Sequence, residues 1–342
     1  MPLIPYLRQV VEGRDLSASD AQAAMGTILA GEASAAEIAA LLVALRMKGE
    51  AVPELVGFAR AMRQAARVVK AEGPLIDTCG TGGDGCSTFN ISTVAAFVVA
   101  GAGVRVAKHG NRSISSRCGS ADLMESLGIR ISHDPEEMAR AIHEVGMAFL
   151  FAPTIHTAMK HAQPVRVQLK IRTAFNLLGP LTNPAGATAQ LAGAPSDRAA
   201  QLMAGALAEL GLEHGFVVHG SDGLDEITTT GPTLAFEVRG HSVERRIFEP
   251  RDFGVPMARY EDLQGGDAIG NREIALAILA GEKGPKRDIV LVNASAALVA
   301  AGRTTDFREG VEIAAHSIDS GAARVKLAEL VRFTVGQGQA LP

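Results

Sequence analysis

From Pro74 onward, short apolar runs that end in glycine or polar residues are followed by helix-length segments. This alternation restricts the possible folds more than any other feature of the chain. LIDTC (75–79) reads as a strand, FNISTVAAFVVAGAG (89–103) as a buried helix, VRVAKHG (104–110) as a second strand and GSADLMESLG (119–128) as a second helix. Asp134 as N-cap and Pro135 at the first helical position open another helix ahead of the apolar MAFLF (147–151). SDRAAQLMAGALAELG, FVVHG (216–220) and DIVLVNASAALVAAG (288–302) continue the series. Short strands alternating with longer helices predict an α/β fold with a mainly parallel central sheet. Ligands of such sheets bind outside the carboxyl ends of the strands. The polar stretches 79–93 and 107–120, each directly after a strand, are therefore expected side by side at one rim. Residues 221–287, rich in Gly, Thr and charge, give no clear pattern.

The first 70 residues read as wholly helical. Ser17 with Asp20 and Ser34 with Glu37 fit capping boxes, Gly13, Gly31 and Gly49 stand where helices should stop, and Pro53 suits a first turn. Nothing there resembles a catalytic cluster.

With 342 residues, 47% hydrophobic, the chain has material for a large domain and a small one. A net charge of −4 argues against nucleic acid or anionic membrane as partner, and no apolar run reaches the ~20 residues a spanning helix needs. MPLIPYLRQVVEGRD lacks the features of a signal peptide, and Cys79, Cys86 and Cys118 form no CxxC pair, so a reducing cytoplasm is expected. With no tryptophan and two tyrosines, a base-stacking platform is not expected either.

Four stretches carry chemistry. DTCGTGGDGCSTFNIST (77–93) puts a glycine-rich turn between strand and helix, which suits an anion cradle and, as well, a tight structural turn. It is neither the dinucleotide fingerprint nor a P-loop. AKHGNRSISSRCGSAD (107–122) gathers Lys108, His109, Asn111, Arg112, Arg117 and four serines, a donor set for a charged, oxygen-rich ligand. HGSDGLDEITTTG (219–231) places adjacent Asp225 and Glu226 after a strand, hard ligands suited to Mg²⁺ or else a solvated turn. In HTAMKHAQPVRVQLKIRTAFNLLGPLTNPAG (156–186), Arg166, Lys170 and Arg172 are expected on one helix, where a guanidinium could grip a carboxylate. His156 and His161, five apart, miss the spacing of a helical metal pair.

GTGGDG with FNIST, KHGNRSISSRCGSAD, NLLGPLTNPAG and GLDE, in that order, resemble the anthranilate phosphoribosyltransferase family over nearly the whole chain. The resemblance implies a helical domain at 1–70, joined by helices from about 160–185, and an α/β domain at 73–342. It implies transfer of phosphoribose from 5-phosphoribosyl-1-pyrophosphate to the amino group of anthranilate in tryptophan biosynthesis, with Mg²⁺, by a homodimer joined through the helical domain. Carried over, the phosphoribosyl pyrophosphate site comprises Gly80, Gly83, Asp84, Thr88, Asn90, Ser92, Thr93, Lys108, His109, Gly110, Asn111, Arg112, Ser115, Ser116 and Ser120. Anthranilate would meet Gly80, Asn111 and Arg166, and the metal Ser92, Asp225 and Glu226, with Asp84 and Lys108 as catalytic residues. Ser113 and Cys118 depart from the family's usual alanine and small residue. An aryl amine is neutral at pH 7, so positioning and stabilisation of departing pyrophosphate are the expected catalytic tasks, with inversion and no covalent intermediate. Two rival readings stand beside this one: a pyrimidine-nucleoside phosphorylase and, disfavoured by the charge, a non-catalytic nucleic-acid-binding relative.

Overall fold

The computed structural model describes residues 2–82, 86–113 and 117–336. Its strands are β1 (Ile76–Gly80), β2 (Val106–Gly110), β3 (Met147–Phe151), β4 (Ala189–Gly193), β5 (His214–Gly220), β6 (Thr233–Arg239) and β7 (Ser242–Phe248). They form one sheet in the order β3-β2-β1-β4-β5-β6-β7. The first five in that order run parallel, and β6 and β7 add an antiparallel hairpin, so the expected mainly parallel α/β sheet is present. The chain builds β1, β2 and β3 to one side and then returns to place β4 on the other side of β1. That reversal opens a crevice at the carboxyl ends of β1 and β4, where Gly80 and Gly193 are register partners.

The unpatterned segment 221–287 contains the hairpin and the helix Ala268–Leu279. β7 is exposed along nearly its whole length and carries Glu244, Arg245 and Arg246, charges that suit an unpaired sheet edge.

Four helices, Ile4–Val11, Ala18–Leu29, Ala35–Lys48 and Val52–Ala65, fill the N-terminal region. Ser34 with Glu37 forms the capping box read from the sequence. Ser17 caps its helix in one direction only, the Asp20 carboxylate accepting from the Ser17 hydroxyl instead of its backbone N–H. Asp20 N donates to Ser17 Oγ at 3.1 Å, and Ser34 and Glu37 cap each other reciprocally. Each such cap contributes about 1 kcal/mol.

Two apolar cores flank the sheet. One face, with Ile76, Val106, Leu191, Phe216 and Val218, packs beneath the helices Ile91–Gly101 and Pro285–Ala300. The other, with Ala192, Val217, Phe236 and Val238, shares one core with the helix Asp197–Glu209, the N-terminal helices and residues 162–181. The helical region is thus bonded by burial to the underside of the same sheet whose rim forms the crevice.

The expected long helix bearing Arg166, Lys170 and Arg172 is corrected by the structure. The helix covers Gln163–Leu169 only, Lys170 adopts a left-handed conformation at φ 51°, and Arg172 lies beyond it. Only Arg166 is helical, because a left-handed residue ends the repeating hydrogen-bond ladder.

Candidate active site

The crevice is shaped first by glycines. A Cβ on Gly80 would lie 2.4 Å from Asp225 Oδ2, and one on Gly193 would lie 1.6 Å from the Asp225 carbonyl oxygen. Side chains at either position would push the acidic turn off the sheet. Gly193 was not visible as a site residue in the sequence. ATAQLAG has little of the β-branched or aromatic content that marks a strand.

The turn is held from several sides. Asp222 accepts from the hydroxyls of Thr228 and Thr230, each at 2.6 Å, and from Leu224 N at 3.2 Å. Asn293, fully buried in the helix Pro285–Ala300, accepts from Ile227 N and donates to Ile227 O, both at 2.9 Å. A lone asparagine in VLVNASAALV was the available signal, since a buried amide demands partners. Asn293→Leu, close in volume, should leave both backbone groups of Ile227 unpaired at about 1–3 kcal/mol each. Urea denaturation should register a larger loss than Ser295→Ala, which frees only the Phe307 carbonyl. A smaller loss would remove Asn293 from this role.

Asp225 and Glu226 then point in different directions. Asp225 Oδ2 accepts from Gly82 N at 2.8 Å, tying it to the glycine-rich loop. Glu226 Oε1 accepts from Ser92 N at 3.0 Å, at the N-terminal turn of the helix Ile91–Gly101, where the helix dipole favours negative charge. Lys108, almost fully buried, reaches across from β2 to donate to Thr78 O and lies 3.4 Å from Ser92 Oγ. Burying an ammonium costs several kcal/mol unless it is compensated, and here the carboxyl of Asp77, and next those of the Asp225-Glu226 turn, favour its charged form. Burial still lowers the Lys108 pKa. Burial, and next the charge of Asp225, pushes Glu226 up to about 8. Two acids that resist joint ionisation, beside a serine hydroxyl, are a donor set suited to a hard divalent cation. Among the described residues no group of three or more His, Cys, Asp or Glu gathers as a metal cluster. Any such ion would therefore draw its remaining ligands from hydroxyl, water or substrate oxygen.

The second loop closes beside the first. Ser120 Oγ bonds both backbone groups of Asn111, donating to its O at 3.1 Å and accepting from its N at 3.2 Å. Asn90 Nδ2 donates to Cys118 O at 3.0 Å, so the two rim loops are linked as expected. Asn271 Nδ2 donates to Asn90 Oδ1 at 3.0 Å, and Thr88 bridges Gln264. The Thr93 hydroxyl is buried without a partner among the described residues. Gly110 leaves room for Ser120 Oγ and the Phe149 ring.

Three sequence-derived site residues stand apart. Arg112 faces outward, its guanidinium held by Glu125 at 2.6 and 2.7 Å and by Asp122 at 2.9 Å. His109 alternates to the opposite face from Lys108, as strand geometry requires. Its Nδ1 donates to Gly179 O at 3.1 Å and its ring meets His156 edge-on at 5.3 Å. Burial pushes His109 down to about 3 and His156 to about 4. Arg166 lies half-buried over the Phe175 ring at 5.3 Å, with Nη1 3.4 Å from Gln163 Oε1, and makes no ion pair among the described residues. Arg172, not chosen from the sequence, donates to Gly82 O at 3.0 Å. Gly83, Asp84, Ser115 and Ser116 lie outside the described residues.

The match to known families covers both parts of the chain. Residues 4–66 match the helical bundle domain of a glycosyl transferase family, and residues 72–324 match its α/β domain. An anthranilate phosphoribosyltransferase from Solibacter usitatus is 67% identical over 340 residues, covering 98% of this chain and 100% of that one. The crystal structure of anthranilate phosphoribosyltransferase from Thermus thermophilus superposes with a TM-score of 0.92 at 44% identity, covering 96% of this chain and 99% of that one. The Saccharomyces cerevisiae enzyme, in complex with PRPP and Mg, gives 0.89 at 26% identity, covering 97% and 98%. No helix among the described residues is long and apolar enough to cross a membrane.

Proposed function

The chain belongs to the anthranilate phosphoribosyltransferases, and from that premise we propose how its own residues carry the transfer of phosphoribose from 5-phosphoribosyl-1-pyrophosphate to the amino group of anthranilate, a step of tryptophan biosynthesis. The observation that carries this reading is the meeting of Lys108, Ser92, Asp225 and Glu226 at one crevice, where β1 and β4 end. Ser92, Asp225 and Glu226 would hold Mg²⁺, which when bound supplies positive charge to the departing pyrophosphate.

Lys108 adds a fixed cation on the same side, buried enough to act at low effective dielectric. Gly80, Thr88, Asn90, Thr93, Gly110, Asn111 and Ser120 form the rim that seats the sugar phosphate. Gly83, Asp84, Ser115 and Ser116 keep the roles the family resemblance gives them. Asn111 and Arg166 would take anthranilate, the arginine facing its carboxylate by two parallel hydrogen bonds. His109 would contribute by fixing β2 beneath the rim, since its ring is committed to Gly179 and its backbone N–H to Asp77. Arg112 would need to leave Asp122 and Glu125 to reach a phosphate. Because the aryl amine needs no strong base, holding both substrates in line supplies much of the acceleration.

We further propose a division at about residues 70–73, a cytoplasmic location, and a homodimer through the helical part. The exposed Val11 and Met47 of that part support the dimer, and light scattering in solution tests it. Loss of anthranilate fluorescence should require 5-phosphoribosyl-1-pyrophosphate and Mg²⁺ together. Phosphorolysis of thymidine without anthranilate turnover would instead favour the nucleoside phosphorylase reading.

A further inference from the structure

β1 and β2 are parallel neighbours, yet a single register pair, Ile76↔Val106, joins them, against five for β1 with β4 and five for β2 with β3. In a regular parallel ladder, Thr78 and the flanking backbone groups of Ala107 and His109 would bond across the gap. Side chains take three of those groups here: the His109 N–H and the carbonyls of Ala107 and Thr78. His109 N donates to Asp77 Oδ1 at 3.1 Å. Asn183 Nδ2 donates to Ala107 O and to Asp77 Oδ2, both at 2.8 Å. Lys108 Nζ donates to Thr78 O.

Such a replacement of backbone bonds is unfavourable unless it is complete. A regular ladder would need neither a carboxyl at 0% exposure nor a buried amide at 7%, and buried polar groups are retained only where every bond is made. Here they are made. Asn183 donates both amide protons, and its Oδ1 accepts from Ala185 N at 2.9 Å. The segment that carries it is itself anchored. Gln190 Nε2 donates to Pro180 O at 2.7 Å, and Arg63 Nε, from the helical region, donates to Leu181 O at 2.8 Å. The GPLTNP motif therefore acts as a strap under the sheet, with Asn183 as the side chain inserted between two strands.

We propose that Asp77 and Asn183 are positioning residues for the transfer. By occupying the backbone groups of Ala107 and His109, they hold β2 off β1 just below the crevice. The opening lets Lys108 reach across to Thr78 O and the Ser92 hydroxyl, and sets the separation of the two rim loops. This deepens the transferase reading and rests on it.

The test is an exchange of polarity. Asp77→Asn sets an amide against the Asn183 amide, and Asn183→Asp sets a carboxylate against Asp77 and the Ala107 carbonyl. The double exchange lets the new amide donate to the new carboxylate. Steady-state kinetics with both substrates would be measured beside melting curves and circular dichroism. Each single variant should lose about 10- to 100-fold in kcat/KM for 5-phosphoribosyl-1-pyrophosphate, the size of one charged hydrogen bond. The exchange should recover at least part of that loss, short of wild type because Ala107 O stays unpaired. Asn183→Ser, which keeps one donor, replaces any single variant that does not fold. Folded single variants with wild-type kinetics, or an exchange no better than the worse single variant, would overturn the proposal. A wild-type chain without turnover would sink the transferase reading and this one with it. Normal wild-type turnover beside unaffected variants would sink the positioning role alone.

Discussion

Replacing Asp225 by Asn together with Glu226 by Gln should cut Mg²⁺-dependent turnover by about 100-fold or more, taking each charge-assisted interaction at about 1.5–3 kcal/mol. The loss should appear chiefly in binding of 5-phosphoribosyl-1-pyrophosphate, since the ion would join protein to pyrophosphate. The opposite sign is expected for stability. Burial and the adjacent Asp225 raise the Glu226 pKa, so the metal-free native state gains nothing from that carboxylate's charge. Without Mg²⁺ the double variant should melt no lower than wild type. Shape is nearly conserved, and an asparagine oxygen at 225 can still accept from Gly82 N. Added Mg²⁺ and pyrophosphate should raise the melting temperature of wild type and leave the variant unmoved. An unchanged Mg²⁺ dependence would return the acidic pair to a purely structural role.

What the sequence disclosed divides by the range of the interaction involved. Caps at Ser17, Ser34 and Asp134 were legible because the partner lies two or three residues away. The alternation that predicts a parallel sheet was legible because strand and helix periods differ. β4 was hidden, because Ala and Gly dominate it and its burial comes from neighbours on both faces. Gly193 was hidden for a related reason: its lack of a side chain matters only once Asp225 lies over it. Asn293, Asp77 and Asn183 act on backbone 66, 32 and 76 residues away, which no local pattern encodes. The KHGNR motif pointed to Lys108 and Asn111, which the structure sets beside Ser92 and Ser120. It could not say that the alternation of the same strand sends the His109 ring beneath the sheet.

Arg166→Ala should raise the anthranilate KM by about 10- to 100-fold, the size expected for removing one charged, bidentate interaction, while leaving the KM for 5-phosphoribosyl-1-pyrophosphate near wild type. The separation is expected because the side-chain contacts of Arg166 among the described residues are Gln163 and Phe175, and not Lys108, Ser92 or the acidic turn. Its guanidinium meets the Gln163 side chain at 3.4 Å, a weak partner that a carboxylate would displace. Burial lowers the guanidinium's pKa without neutralising it, so the cation is held ready for a ligand. Loss of the stacking on Phe175 should cost only about 0.5–1 kcal/mol of stability, so the variant should fold. Arg166→Lys should rescue little, since an ammonium cannot make two parallel bonds to one carboxylate. A substrate change closes the cycle. Wild type should discriminate strongly against anthranilamide, whose amide bears no charge, and Arg166→Ala should lose most of that discrimination. Equal losses for both substrates, or discrimination that survives the substitution, would assign the carboxylate to a residue other than Arg166.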